Sequence, residues 1–180
     1  LPFLEAADRL RGPVPDLCCV LPVASQATGE YVEQLVAERF ARLPVEIRLE
    51  ATNDALAACD VALVASGTAT YEALLSKRPM VVGYRVNPLT YRLVRLLRLV
   101  KVDHVAMANL LSDRPLAPEL IQADCTAEKL TPELRRFFED AELRDDTARH
   151  YSEIHRRLRK DTDGEAADAV IDLLRERGLV

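Results

Sequence analysis

Short apolar runs and helically spaced apolar residues alternate along the first half of the chain. Continuous apolar runs, which predict strands buried on both faces, fall at residues 16–23, 61–65 and 79–83, and a further short strand is predicted at residues 45–49. Between them, apolar and polar residues follow a helical period at residues 28–43, 53–59 and 68–77. Strands separated by helices imply right-handed crossovers and a parallel sheet that is covered on both faces. We therefore predict an α/β fold with a doubly wound parallel sheet.

Both ends of the chain are predicted to be helical. Residues 1–11 have one apolar face, and a helix that begins before any strand indicates a piece of a larger protein. Residues 126–160 and 163–177 also have helical spacing, with almost no strand pattern. We expect a sheet domain over residues 1–125. The helical tail over residues 126–180 is longer than this sheet needs, so we expect it to cross to another domain or subunit.

The composition is that of a soluble globular protein, with 49% hydrophobic and 29% charged residues. With a net charge of -5, the protein lacks the positive electrostatic field that attracts the phosphates of nucleic acids, which argues against nucleic acid as the partner. No apolar run approaches the roughly 18 residues that cross a bilayer. We expect a cytoplasmic protein with reduced thiols and with neither metal nor cofactor, because no metal or redox spacing connects the three histidines or the four cysteines Cys18, Cys19, Cys59 and Cys125.

The stretch Ser66-Gly67-Thr68 carries the strongest chemical pattern. It follows a predicted buried strand and leads into a helix, so its backbone N–H groups and the helix dipole would point at an anion. Gly67 would let a phosphate approach the backbone, and Glu72, one turn later, could accept hydrogen bonds from a sugar diol. The alternative is an ordinary helix start, in which Ser66 or Thr68 caps free N–H groups. The position beyond the carboxyl end of a parallel strand favours the phosphate hypothesis.

Three later polar residues, Asn109, Glu119 and Gln122, are candidates for contacts with a nucleobase or sugar. Asn109 lies in a short apolar stretch, while Pro118 begins a predicted helix that places Glu119 and Gln122 on one face. The alternative is loop capping for Asn109 and surface exposure for the other two.

Residues 88–101 are predicted to form a basic amphipathic helix. Its leucines lie opposite Arg92, Arg95 and Arg98, an arrangement that suits an anionic membrane surface. The alternative is a solvated charged face on a helix whose leucines pack on the core.

Several of these stretches, taken in order, resemble a known family. The pattern Ala65-Ser66-Gly67-Thr68-Ala69 with Glu72, then residues 79–85, 109–111 and 118–122, is similar to the C-terminal half of lipid-A-disaccharide synthases. That family has a GT-B-like architecture of two Rossmann-like domains with a cleft between them. The resemblance implies an inverting glycosyltransferase that moves acylated glucosamine from UDP onto acylated glucosamine 1-phosphate.

The resemblance also implies roles for individual residues. Ser66, Gly67 and Thr68 would hold the UDP diphosphate, and Glu72 would bind the ribose hydroxyls. The remaining residues of the nucleotide-sugar side would be Arg85, Asn109, Glu119 and Gln122. Acceptor binding and the catalytic base would belong to the missing N-terminal half, so no catalytic residue is assigned here and this part alone is expected to be inactive.

Further implications concern the partners, namely the two lipid-linked sugars, the inner-membrane surface through Arg92, Arg95 and Arg98, and a possible homodimer through the C-terminal helices. Two alternatives stay open. A GT-B transferase that uses UDP-N-acetylglucosamine for cell-wall lipid intermediates would have the same architecture. A non-catalytic interaction module would have a vestigial pocket.

Overall fold

The computed structural model describes residues 1–65, 67–87, 104–159 and 162–178. The strands in these ranges are β1 (Cys19–Val23), β2 (Val45–Leu49), β3 (Ala62–Val64), β4 (Met80–Tyr84) and β5 (Glu119–Ile121). The helices are α1 (Pro2–Leu10), α2 (Gln26–Arg39), α3 (Thr52–Ala58), α4 (Thr68–Leu75), α5 (Met107–Leu110), α6 (Ala127–Glu139), α7 (Ala141–Leu158) and α8 (Thr162–Glu176). Ser66 and the predicted basic helix with Arg92, Arg95 and Arg98 lie outside the described residues.

All the strand pairs that the structure describes are parallel, which confirms the predicted α/β class. β1 pairs with β2, and β3, β4 and β5 form a second sheet with β4 in the middle. In this second sheet Val64 lies opposite Val82, and Val82 lies opposite Glu119. Because the strands are parallel and in close register, their carboxyl ends meet at one edge.

Two apolar clusters cover the two faces of the three-stranded sheet. Met80 and Val82 face a cluster formed with α4, α5 and α7, whereas Val81 faces a cluster formed with α1 and α6. Successive strand residues point to opposite faces, and all three are fully buried. β4 is therefore the doubly buried strand of a doubly wound sheet, as the continuous apolar run predicted.

The prediction of a helix beginning at Pro118 is wrong. Residues 119–121 form β5 instead, and a single 3-10 turn follows at Gln122–Asp124. The Val82 N–H donates to the Pro118 carbonyl at 2.8 Å, so this segment pairs with the free edge of β4 as a strand. A three-residue spacing of polar side chains could not reveal that pairing.

The predicted helical stretch 126–160 is two helices with a break at Asp140. Asp140 has extended backbone angles, and its Oδ1 accepts from the Leu143 N–H at 2.9 Å, which caps α7. Arg144 donates to the carbonyl groups of Phe137 and Phe138 and so closes the end of α6. The break lets α6 and α7 pack on opposite faces of the same sheet.

The last helix, α8, differs from α6 and α7 because its apolar side chains are exposed. Val170, Ile171 and Leu173 are 57%, 38% and 49% accessible, respectively. An amphipathic helix with an uncovered apolar face is the element that the predicted tail would use to reach another surface. None of the helices that the structure describes is long and apolar enough to cross a membrane.

Gly83 in β4 marks a close approach between the sheet and α1. A Cβ atom at this position would lie 2.5 Å from Phe3 Cε1 and 3.2 Å from the Cys125 sulfur. The aromatic ring of α1 therefore packs directly on the strand backbone, and this contact requires glycine.

We expect Gly83→Ala to lower the free energy of unfolding by about 1–3 kcal/mol, because the added methyl overpacks this contact. Gly12→Ala is the matched control, since nothing lies within 4 Å of a Cβ there. Adding Phe3→Leu should recover part of the loss in urea unfolding experiments. Equal stability of the two single alanine variants would contradict the proposed contact.

Candidate functional site

The carboxyl ends of β3, β4 and β5 bring several predicted site residues to one edge of the sheet. β3 is followed by the Gly67-Thr68 turn, β4 by Arg85, and β5 by Gln122. Arg85 Nε donates to the Gln122 carbonyl at 3.1 Å, so the ends of β4 and β5 are directly connected. This edge is where an open parallel sheet binds its ligands.

The turn before α4 has the backbone geometry that the phosphate hypothesis requires. Gly67 is the N-cap residue with φ 108° and ψ -153°, a conformation that favours glycine. Its absent side chain leaves open space, with nothing within 4 Å of a Cβ position. Thr68 begins the helix and is exposed. No side chain of the N-cap residue covers the first N–H groups of α4, so they can face an anion.

Glu72 lies four residues after Thr68, so the two share one face of α4. Its side chain is half-buried, and the described part of the chain shows no hydrogen-bond partner for it. The carboxylate therefore retains its acceptor capacity one helical turn from the glycine turn. This placement agrees with the geometry from which the sugar contact was predicted.

Gln122 has two irregular features at the end of β5. Its φ is 55°, in the left-handed region that residues other than glycine seldom adopt. Its Nε2 is buried and has no hydrogen-bond partner within the described ranges. A buried amide without a partner is costly unless something else satisfies it, and such outliers concentrate at binding sites.

Asn109 is only 4% exposed, and its amide is fully occupied within the protein. Its Oδ1 accepts from the N–H groups of Leu116 and Ala117, at 2.7 and 2.9 Å. Its Nδ2 donates to the Ala117 carbonyl at 2.8 Å and to Glu119 Oε1 at 2.7 Å. Both lone pairs and both hydrogens are thus in use, which matches the loop-capping alternative for this residue.

Glu119 is also directed into the protein. Its two carboxylate oxygens accept from the N–H groups of Val105 and Ala106, at 2.9 and 3.0 Å. The imidazole of His104 lies 3.5 Å from Oε1. Glu119 therefore holds the segment before α5 against β5, where the sequence predicted an outward-facing helix residue.

Thr70 belongs to the same region, and sequence analysis did not single it out. Its hydroxyl donates to the Gly67 carbonyl at 2.8 Å and accepts from the Met107 N–H at 3.2 Å. A threonine three residues after a helix-capping glycine is a detectable pattern, but only the fold brings Met107 beside it.

Two kinds of chemistry have little support at this edge. Burial raises the pKa of the Cys125 thiol, although the charge of Arg85 opposes the shift, so the thiol stays protonated at neutral pH and is a poor nucleophile. No cluster of three potential metal ligands occurs in the described ranges of the chain.

The chain is similar to one protein family over nearly its whole length. Residues 1–170 match the family model described as lipid-A-disaccharide synthetase. The chain belongs to the lipid-A-disaccharide synthetase family. It is 46% identical over 175 residues to the lipid-A-disaccharide synthases of Pseudomonas entomophila (strain L48) and Pseudomonas aeruginosa (strain LESB58), and 47% identical to that of Pseudomonas putida (strain W619).

These matches cover 97% of this chain but 45% of each relative. The chain thus spans somewhat less than half the length of the lipid-A-disaccharide synthases that it matches. Gly67, Thr68 and Arg85 are exposed in the part of the chain that the structure describes.

We expect Asn109→Asp to lower the free energy of unfolding by about 3–5 kcal/mol, because a buried carboxylate would face the Ala117 carbonyl and the Glu119 carboxylate. Burial and Glu119 would raise the pKa of the new carboxyl, so lowering the pH should recover part of the stability. Asn53→Asp, at an exposed position of α3, is the control and should change little. A neutral Asn109→Asp would mean that the internal network is not required for folding.

Proposed function

We propose that this chain is the donor-nucleotide half of a glycosyltransferase that assembles the lipid A disaccharide. The whole enzyme would transfer diacylglucosamine from its UDP donor to diacylglucosamine 1-phosphate and release UDP. The observation that carries the proposal is the uncapped Gly67 turn before α4, which follows β3 at the same edge of the sheet as the Arg85–Gln122 hydrogen bond. Family membership supports the choice of substrates.

In this proposal the diphosphate is bound mainly by backbone groups. The N–H groups at the start of α4 and the hydroxyls of Ser66 and Thr68 donate to its oxygens, while the helix dipole favours the negative charge. Arg85 is exposed near the same edge and adds a positive charge. Since Gly67 has no Cβ, the phosphate can approach the backbone closely.

We assign the sugar and base contacts to residues whose side-chain polar groups have no hydrogen-bond partner in the described part of the chain. Glu72 accepts from the ribose hydroxyls, and the unpartnered Gln122 amide donates to the nucleotide or sugar. The sequence also predicted Asn109 and Glu119 as ligand contacts. In this proposal they stabilise the edge of the sheet from inside, because their polar atoms already bind one another and the backbone. The other half of the enzyme supplies the catalytic base and the acceptor site.

Three further parts of the proposal concern the surroundings of this half. The exposed apolar face of α8 covers the second domain or a second subunit, which includes the homodimer suggested by the sequence. Arg92, Arg95 and Arg98 face the anionic inner-membrane surface, a role that rests on their sequence pattern. The enzyme works on the cytoplasmic side, where a peripheral protein could reach lipid-linked sugars.

A transferase that uses UDP-N-acetylglucosamine for cell-wall lipid intermediates is the second candidate. A diphosphate turn and a ribose carboxylate do not by themselves select the donor sugar, so the family match favours lipid A assembly. An interaction module without nucleotide binding is disfavoured by the open turn and the unpartnered Gln122 amide.

The decisive variant is Thr68→Pro in the full-length protein. Proline at the first helical position removes one N–H while preserving the helix, because that N–H has no partner within a helix. We expect the affinity for UDP to fall by about 1–3 kcal/mol, the range for hydrogen bonds to charged groups. Isothermal titration calorimetry measures the effect.

Thr68→Val is the matched control, since it removes the hydroxyl but keeps the N–H. A smaller loss with valine than with proline would assign the contact to the backbone. Gly67→Val is a poorer test, because a φ of 108° strains any side chain. If Thr68→Pro binds UDP as tightly as the unchanged enzyme, the turn is not the diphosphate site.

A separate test addresses the ribose. Glu72→Ala should weaken UDP binding by about 1–3 kcal/mol and should weaken binding of 2′,3′-dideoxy-UDP much less, because the analogue lacks the hydroxyls that Glu72 would bind. Calorimetric titration of both ligands gives the comparison. Equal losses for the two ligands would show that Glu72 acts on the fold or on the phosphates.

A further inference from the structure

Thr70 occupies an unusual position between two parts of the candidate site. Its side chain is fully buried, and its hydroxyl contacts two backbone segments that are far apart in sequence. It donates to the Gly67 carbonyl at 2.8 Å and accepts from the Met107 N–H at 3.2 Å. One hydroxyl thereby connects the glycine turn to the start of α5.

The segment on the far side of Thr70 is fixed to β5 by Glu119. The Glu119 carboxylate accepts the two N–H groups just before Met107 and the amide of Asn109 within α5. Residues 105–109 are therefore held at one side by the sheet and at the other by α4. Among the described residues, the hydrogen bond from the Met107 N–H to the Thr70 hydroxyl is the side-chain hydrogen bond that joins this segment to α4.

Thr147, the other buried threonine among the described residues, has simpler surroundings. Thr147 of α7 is 3% exposed and donates to the Leu143 carbonyl of its own helix at 2.8 Å. That bond stays within one element, and it lies outside the edge where β3, β4 and β5 end. Thr147 thus provides a threonine of similar burial without a link between segments.

We propose that Thr70 is a positioning residue for the donor nucleotide. By holding the Gly67 carbonyl, its hydroxyl fixes the orientation of the turn whose N–H groups face the diphosphate. By accepting from Met107, it makes the turn and residues 105–109 one preorganised unit. The inference rests on the proposed function, because it assigns Thr70 an effect on a ligand that it does not touch.

The physical reason is the cost of ordering the site at binding. A turn that is already held in the binding geometry loses less conformational freedom when the ligand arrives. Replacing the hydroxyl by a methyl group leaves the Met107 N–H without its acceptor and removes one of the two hydrogen bonds at the Gly67 carbonyl, which keeps the Thr70 N–H at 3.1 Å. The turn would then sample other geometries, and affinity would fall without loss of any direct contact.

The experiment compares three variants of the full-length protein by calorimetric titration with UDP. Thr70→Val should weaken binding about three- to thirtyfold, as expected for the loss of one or two hydrogen bonds. Thr70→Ser keeps the hydroxyl and should bind UDP within about twofold of the unchanged protein. Thr147→Val, the control for burial and volume, should leave the affinity unchanged even where it lowers the melting temperature.

A second measurement needs no variant. If Thr70 couples the two segments, UDP should slow amide hydrogen exchange at residues 105–109 as well as in the first turn of α4. Protection of the α4 turn with unchanged exchange at residues 105–109 would overturn the inference. Binding of UDP to folded Thr70→Val at the original affinity would overturn it as well.

The outcomes separate this inference from the proposed function. If Thr68→Pro also leaves UDP affinity unchanged, the assignment of the diphosphate site itself fails. If Thr68→Pro weakens binding while Thr70→Val does not, the site stands and only the positioning role is lost.

Discussion

The burial of β4 on both faces is the constraint on which the rest of the structure depends. Met80, Val81 and Val82 are fully buried between two apolar clusters, so the strand has no face left for solvent. Helices cover both sides, and the neighbouring strands pair in parallel with β4, the arrangement in which both faces of a sheet are usually covered. The parallel arrangement brings the strand ends to one edge, where the candidate site lies.

Polar groups near that edge divide into two sets. Thr70, Asn109 and Glu119 are directed inward, where each hydrogen bond replaces water for a buried backbone or side-chain group. Thr68 and Arg85 are exposed, and the Gln122 amide is buried without a partner in the described part of the chain. The first set stabilises this edge of the sheet from inside, and the second set contains the groups that the proposed function assigns to the ligand.

The described structure also has features of one half of a larger assembly. The apolar side of α8 is exposed, and the strand-end site faces open space beside Gly67. The relatives that the chain matches are more than twice as long as the matched region. Both observations support the proposed two-domain cleft, in which this half would bind the nucleotide and α8 would contact the other half.

Local sequence determined much of this fold. The continuous apolar run at 79–83 predicted β4, because a strand that is buried on both faces needs apolar residues throughout. Helical spacing predicted α2 and α4, because a helix that buries one face repeats its apolar residues with the helical period. The Gly67 turn was likewise predictable, since few residues other than glycine adopt its φ of 108°. The strand at Glu119–Ile121 was not, because it exists only through pairing with the edge of β4.

Tertiary structure alone decided which of the polar side chains have partners inside the protein. Sequence placed Asn109 and Glu119 among the ligand contacts, yet both are occupied by backbone groups from elsewhere in the chain. It passed over Thr70, whose second partner, Met107, is 37 residues away. A polar side chain becomes a ligand contact or an internal brace according to which backbone groups the fold brings beside it, and no local pattern encodes that neighbourhood.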